Sequence, residues 1–410
     1  MIDDGNLPLD SHDSFASGVP HATFKRLRDE APCHWTDDSD LAKGFWSLTR
    51  YQDISQANRD TTIFSSAQGI RIEDQTHEEY MARRTFQETD PPEHSATRRV
   101  VNRNFAKPVV AQFEGLIREL ATGIFDEALD HDEFDAVEMI AKKLPMMMLG
   151  RILGVPDEDL DWLVAKGDAL IGNTDPDFTD HVVDKMNSDA YRFMPFRSPA
   201  GAELYDYADE ILSGKKPISE DGLMTRIMGQ EDRMSDLDFK NFFCLLVAAG
   251  NDTTRYSIAM ALYLITQNPK LLAEIKAGDV FDTAPDEFIR LASPTMHFRR
   301  TAIQDTELHG QKIREGDKVL LWFISGSRDD RQFERPNEAI LSRNPNHHLA
   351  FGQGGPHVCL GMHLAKLELK VVLQELAARV SKLEAMEEPT WTRSNFICGV
   401  KKQMVRVERV

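Results

Sequence analysis

The chain has 410 residues, 41% of them hydrophobic, enough for a large core in one or two domains. Its 67 acidic and 48 basic side chains leave a net charge of −19, which excludes nucleic acid as a general partner because phosphate binding needs concentrated Lys and Arg. No apolar run reaches bilayer length, the first residues (Asp3, Asp4, Asp10, Asp13) are too acidic for a membrane anchor, and no secretory leader is recognisable. Cys33, Cys244, Cys359 and Cys398 form no disulfide framework, so a cytoplasmic protein is expected. Without a Pro/Gly/Ser-rich linker, residues 1–410 are expected to be a single domain.

His21 to Glu30 reads as a short helix, Phe45 to Thr49 as a strand, and Tyr51 to Asn58 as a helix with Ile54 inward. Thr61 to Thr89 is polar and unpatterned, with Gly69 as its main breaker. Such a segment is either a solvated loop or a functional one. Asp90-Pro91-Pro92-Glu93-His94 then stops the chain and starts a helix, with His94 and Arg98 on one face. Arg99, Arg103 and Lys107 add positive charge there, as a solvated basic face or as an anion site. From Val109 to Met186 helix is expected to follow helix, with breaks at Gly150, Gly154-Val155-Pro156 and Asp175-Pro176. Met146, Met147 and Met148 are adaptable core filler. Phe193 to Pro199 suggests no function, and Ala200 to Leu212 is an amphipathic helix.

A helix from about Ser235 to Gln267, capped by Ser235 and ended before Pro269, is apolar nearly all round, as a buried helix requires. Its centre, Ala249-Gly250-Asn251-Asp252-Thr253-Thr254, is poor helix chemistry in a costly place. A local rule broken inside a consistent element marks either a kink or a functional site. Glu287 and Arg290 then make an E-x-x-R pair on one helical face. Phe298 to Ile303, Thr306 to Leu308 and Lys318 to Phe323 read as strands, and Trp391 to Val407 as a closing hairpin. Asn395 and Phe396 are placed to reach a pocket.

The stretch Phe351-Gly352-Gln353-Gly354-Gly355-Pro356-His357-Val358-Cys359-Leu360-Gly361 runs straight into a helix beginning near Met362. Glycines let backbone amides approach a sulfur closely, and a helix N-terminus favours its anionic form. A thiolate so held is a ligand for haem iron. Two other readings remain: a small buried cysteine, or zinc held with His347, His348, His357 and His363. The zinc reading lacks the second nearby cysteine of a structural site.

This loop closely resembles the cysteine-ligand loop of the cytochrome P450 family of haem-thiolate monooxygenases. One spacing departs from the common pattern: Phe351 stands eight residues before Cys359, not seven, a form familiar in bacterial members that hydroxylate sterol side chains and methyl-branched lipids. The long helix, the E-x-x-R pair and the His94/Arg98 helix occur in the family's order. The resemblance implies a mainly α fold with a smaller β-rich part and haem b ligated through Cys359, with Phe351 and Gly361 beside it. It implies propionate contacts from His94, Arg98, Arg300 and His357, and proton delivery by Asp252 and Thr253. It also implies a structural ion pair of Glu287, Arg290 and Arg343.

The Thr61–Thr89 segment would then cover a pocket walled by Ala248, Ala249, Thr295, Met296, Phe298 and Phe396, with Ile70, Ile72 and Phe86. No buried positive charge is expected in that pocket, and His297 is either its one polar anchor or exposed. The implied reaction is O2-dependent hydroxylation of an apolar sterol, terpenoid or lipid. No nucleotide-binding fingerprint is fused to the chain, so electrons would come from an external ferredoxin and its reductase, docking near Arg99, Arg103, Lys107 and Lys366. A peroxide-driven oxygenase would not need the Asp252–Thr253 pair. A non-enzymatic haem-thiolate sensor would not need the polar helix centre or a covering segment.

Overall fold

Ser235 opens the longest helix by accepting a hydrogen bond from the Asp238 amide at 3.1 Å, and the helix runs Asp236–Gln267. Its 32 residues span about 48 Å at 1.5 Å per residue. These elements come from a computed structural model that describes residues 9–39, 42–229 and 234–410; Asp3 and Asp4 lie outside them. The first half of the long helix (Phe239, Phe242, Phe243, Leu245, Val247, Ala248) packs in one hydrophobic cluster with Leu204, Tyr207 and Phe396. The second half (Ile258, Ala259, Leu262, Ile265) packs in another with Phe125, Leu144, Leu369 and Leu373. The costly polar centre therefore falls between two cores, and each apolar half is held by its own.

The fold is mainly α with a smaller β part. In the largest sheet the strands lie in the order Cys33–Thr36, Phe45–Leu48, Lys318–Trp322, His297–Ala302, Phe64–Ser65. Phe45–Leu48 pairs in parallel with Lys318–Trp322, and the other pairs are antiparallel. Helix Met362–Arg379 follows the cysteine loop and buries Leu369, Val371, Val372, Leu373 and Leu376. Among the described residues no helix is long and apolar enough to cross a membrane.

Three expectations need correction. The Thr61–Thr89 segment is not wholly irregular: Phe64–Ser65 joins the sheet, and His77–Arg83 is a helix started by a capping box. In that box the Thr76 hydroxyl accepts from the Glu79 amide at 3.2 Å, and Glu79 Oε2 accepts from the Thr76 amide at 2.7 Å. The Val109–Met186 region is not all helical, since Glu133–Asp135 is a strand and the helix Leu160–Ile171 is followed by irregular chain. Nor does the tail close as one hairpin. Thr390–Trp391 pairs with Val400–Lys402, while Met404–Arg409 lies between Glu133–Asp135 and Val380–Ala385.

Candidate active site

The cysteine loop is pinned from three sides. Its own backbone closes it, the Cys359 amide donating to the Phe351 carbonyl at 2.8 Å. Asn58 Nδ2 donates to the Gly352 carbonyl at 2.8 Å, and Arg98 donates to the carbonyls of Pro356 at 3.3 Å and Val358 at 2.5 Å. Gly354 has φ +93° with Arg59 Nε only 2.7 Å from where a Cβ would stand, and a Cβ on Gly355 would fall 2.2 Å from the Asn58 carbonyl oxygen. Side-chain-bearing residues at these two places would push the loop off the helix Tyr51–Arg59.

Three of the four cysteines are buried, while Cys359 is open to the wall of an internal cavity. Burial raises the Cys359 pKa, against the pull of the Gly361 amide, Arg98 and the Met362 amide. The expected preference for thiolate is thus opposed by the enclosure of the site, and a bound metal cation would reverse that balance. Phe351 lines the same cavity, 5.4 Å from the His348 ring and 5.6 Å below the Lys366 ammonium. Zinc finds no support: among the described residues no three His, Cys, Asp or Glu side chains converge, and His348 Nε2 is paired with Asp286 at 3.0 Å.

Across the cavity the long helix presents Ala248, Ala249, Gly250, Thr253 and Thr254. The small residues leave space, and the Thr253 hydroxyl donates to the Ala249 carbonyl at 3.1 Å. Asp252 is on the other side of the helix and does not line the cavity. It is buried against Arg255 at 2.6 Å, and one carboxylate oxygen has no partner. Arg255 also binds Asp168 at 2.7 Å, and Asp168 lies 3.6 Å from Lys142. Burial pushes the Asp252 carboxyl up, Arg255 pulls it down, and Asp168 pushes it up again. With two carboxylates sharing one buried guanidinium, the rise is the stronger effect.

One corner of the cavity is short of negative charge. Arg98 and His357 line it, with His94 behind at 4.1 Å from the His357 ring; neither His94 nor Arg300 reaches the wall. Arg300 is fully buried; among the described residues it donates to neutral oxygens, the Arg299 carbonyl at 2.8 Å and Asn58 Oδ1 at 2.9 Å, while Asp90 favours its charged form from further off. Burial drives its pKa down to about 10. Burial and the neighbouring cations hold His94 down to about 4 and His357 to about 2, both neutral. Both His94 ring nitrogens and His357 Nδ1 lack partners, while His357 Nε2 meets the Ser66 hydroxyl at 3.2 Å. Unpaired buried ring nitrogens and a buried guanidinium in no ion pair among the described residues fit an acidic cofactor edge such as haem propionates.

The walls partly match expectation. Thr295, Phe298, Phe396, Ile70 and Phe86 line the cavity. Met296 and Ile72 do not: both are packed into a separate core cluster with Trp322 and Leu320. His297 is neither exposed nor a polar anchor, because it is buried between Trp322 and Phe396 at 4.6 and 5.5 Å with both ring nitrogens unpartnered. Asn395 is turned away, donating to the Leu9 and Asp10 carbonyls. The expected absence of positive charge is also wrong, since Arg71, Arg83 and Arg197 line the far end with Glu73 and Glu88. Phe193–Pro199, which suggested no function, supplies Phe196 and Arg197 to that end.

Behind the cysteine loop, Arg290 binds both oxygens of the fully buried Glu287 at 2.8 Å, and Arg343 adds a bond at 3.0 Å. The Ile340 amide and Asn346 complete the carboxylate's shell at 2.9 and 3.0 Å. The family resemblance implied the first three; Asn346 and Ile340 carried no signal. Of the basic candidates, Arg99, Arg103 and Lys107 are exposed without ion pairs among the described residues, whereas Lys366 is neutralised by Asp286 at 2.6 Å.

Residues 281–394 match the cytochrome P450 family model. A putative cytochrome P450 126 of Mycobacterium tuberculosis is 33% identical, over 98% of this chain and 97% of its own. A methyl-branched lipid omega-hydroxylase of Mycobacterium bovis is 34% identical over 97% and 93%. The solved structure of a Mycobacterium marinum cytochrome P450 in complex with pseudoionone superposes with a TM-score of 0.85 at 33% identity, over 94% of each chain. With a cavity joining Cys359 to the small-residue face of the long helix, and relatives matched over nearly their whole length, the chain belongs to the cytochrome P450 family and is a monooxygenase.

Proposed function

We propose that the 410 residues form one haem b domain that hydroxylates an apolar small molecule of sterol, terpenoid or lipid type, with electrons from a ferredoxin. The carrying observation is that the Cys359 thiol and the Ala248–Thr253 face of the long helix line one cavity with apolar walls. When bound, the haem activates O2 so that a substrate C–H becomes C–OH while the second oxygen atom leaves as water, using two electrons and two protons.

The chain's residues do the rest. Cys359 supplies the iron ligand, and Arg98 and His357 on the wall, with Arg300 and His94 turning in from behind them, hold the propionates. Phe298, Phe396 and Phe86 exclude water from the substrate and turn it toward the cysteine side. Asp252, its proton affinity raised by burial, takes up a proton outside the cavity and passes it by side-chain rotation to Thr253 Oγ1 on the wall. Glu287, Arg290 and Arg343 fix the backbone that leads into the cysteine loop. Exposed Arg99, Arg103 and Lys107 orient an acidic ferredoxin on the cysteine side of an otherwise acidic protein.

A panel of sterols, terpenoids, fatty acids, small aromatics and charged hydrophilic compounds tests this reading. Apolar classes should shift the ferric haem toward high spin and support turnover coupled to electron consumption. Charged hydrophiles outperforming every apolar class would overturn it.

A further inference from the structure

The charged far end of the cavity has no part in oxygen chemistry. Arg71 is already paired: it grips Glu73 at 2.8 and 3.2 Å and lies between the Phe196 and Phe396 rings at 5.1 and 5.0 Å. Arg197 meets Asp189 at 3.1 Å and Glu79 at 3.8 Å. Arg83 differs. Its Nε and Nη2 both donate to one amide oxygen, Gln75 Oε1, at 3.3 and 2.9 Å, and among the described residues it makes no ion pair. Burial lowers the Arg83 pKa against the pull of Glu88 and Glu79, and burial raises that of Glu88. A partly buried guanidinium on the cavity wall, bonded to a neutral amide oxygen and in no ion pair, can take up an anionic ligand group.

Its place along the cavity is set by the long helix. Ala82, next to Arg83, accepts a hydrogen bond from Asn241 Nδ2 at 3.5 Å. Ala249 is eight residues further along that helix, about 12 Å at helical rise. Phe86, Phe242, Leu245 and Ala248 lie on the wall between, so the cavity has a cysteine end, an apolar middle and a cationic end. A latch between the covering segment and residues 189–197 accounts for Arg71 and Arg197, but not for Arg83, whose bonds stay within its own segment.

Resting on the monooxygenase reading above, we infer that the substrate is a long apolar chain ending in a carboxylate. Arg83 and Gln75 hold the carboxylate, and hydroxylation falls at the remote, apolar end. The fork of a guanidinium matches a carboxylate's two oxygens, which fixes orientation as well as affinity.

The test is titration of the ferric holoenzyme with fatty acids from octanoate to palmitate and with palmityl alcohol as neutral match, read by spin-state shift and by calorimetry. Palmitate should bind more tightly than palmityl alcohol, and the shorter acids progressively less well. Arg83→Met should weaken palmitate about 10- to 100-fold while leaving the alcohol within about threefold, the alcohol also reporting that the variant is folded. Arg83→Lys should recover part of the loss, and the matched pair on the unmodified enzyme serves where a variant fails to fold. Equal affinity for acid and alcohol, or equal weakening of both by Arg83→Met, would overturn the carboxylate site and leave the apolar-substrate reading standing. Failure of acid and alcohol alike to bind would overturn the long-chain carboxylate inference alone, the sterol and terpenoid arms of the panel above deciding the apolar-substrate reading.

Discussion

Replacing Arg300 by Met should move two measurements in opposite directions. This guanidinium is buried, its acceptors among the described residues are the Arg299 carbonyl and Asn58 Oδ1, and Asp90 is the carboxylate that acts on it. Held at about 10 against an ordinary 12.5, its charged form carries a burial penalty of roughly 3 kcal/mol. The two hydrogen bonds return about 1 kcal/mol each, so their loss offsets most of that relief. The haem-free variant should therefore unfold in urea within about 1 kcal/mol of the parent, on the more stable side. With haem bound, the variant loses a charge-assisted bond to a propionate, about 1.5–3 kcal/mol, and haem transfer to an acceptor apoprotein should quicken by about 10- to 100-fold. A haem-free variant destabilised by several kcal/mol, with unchanged haem transfer, would refute the reasoning and make Arg300 an ordinary structural anchor.

Thr253→Ala should still consume reducing equivalents but divert them to peroxide or water, checked by the ratio of product to electrons consumed. The Asp252 pKa is raised, so its protonated form persists above the ordinary carboxylate range and is lost as pH rises through the elevated value. Turnover should fall over that range, and Asp252→Asn should be slower and flat there, with substrate affinity unchanged. Glu287→Gln leaves Arg290 and Arg343 facing a neutral amide in a buried site; roughly 3–5 kcal/mol of stability should go, seen as a lower midpoint in urea. Glu368 on the cysteine helix is enclosed with Oε2 unpartnered and pushed up to about 8. The folded state binds this proton more tightly than the unfolded chain, so it loses stability as pH climbs from the ordinary glutamate range to about 8. Glu368→Gln should flatten unfolding free energy against pH over that window.

Much of the site was legible in sequence because its chemistry is local. The cysteine loop compresses Gly, Pro and Cys into eleven positions, and the E-x-x-R pair falls on one helical face. What escaped depends on contacts between distant segments. Asp168 and Arg255 meet across 87 positions, and no pattern announces that pairing. His297, and Met296 just before it, were misplaced because both faces of the strand are covered: every residue of His297–Ala302 except Phe298 is buried, so alternation cannot tell core from pocket. The helix His77–Arg83 did carry a signal, the Thr76 and Glu79 capping box, and reading it would have brought Arg83 to attention. The raised Cys359 pKa could not be foreseen either, since it comes from an enclosure that other segments build.

The central claim is that Cys359 is the iron ligand on the wall of the substrate cavity. The carbonyl complex of the reduced protein tests it most directly. The unmodified chain should show the red-shifted Soret band of thiolate ligation, and Cys359→Ala should lose it while urea unfolding shows the variant still folded. A Cys359→Ala protein that keeps the red-shifted band would contradict the account.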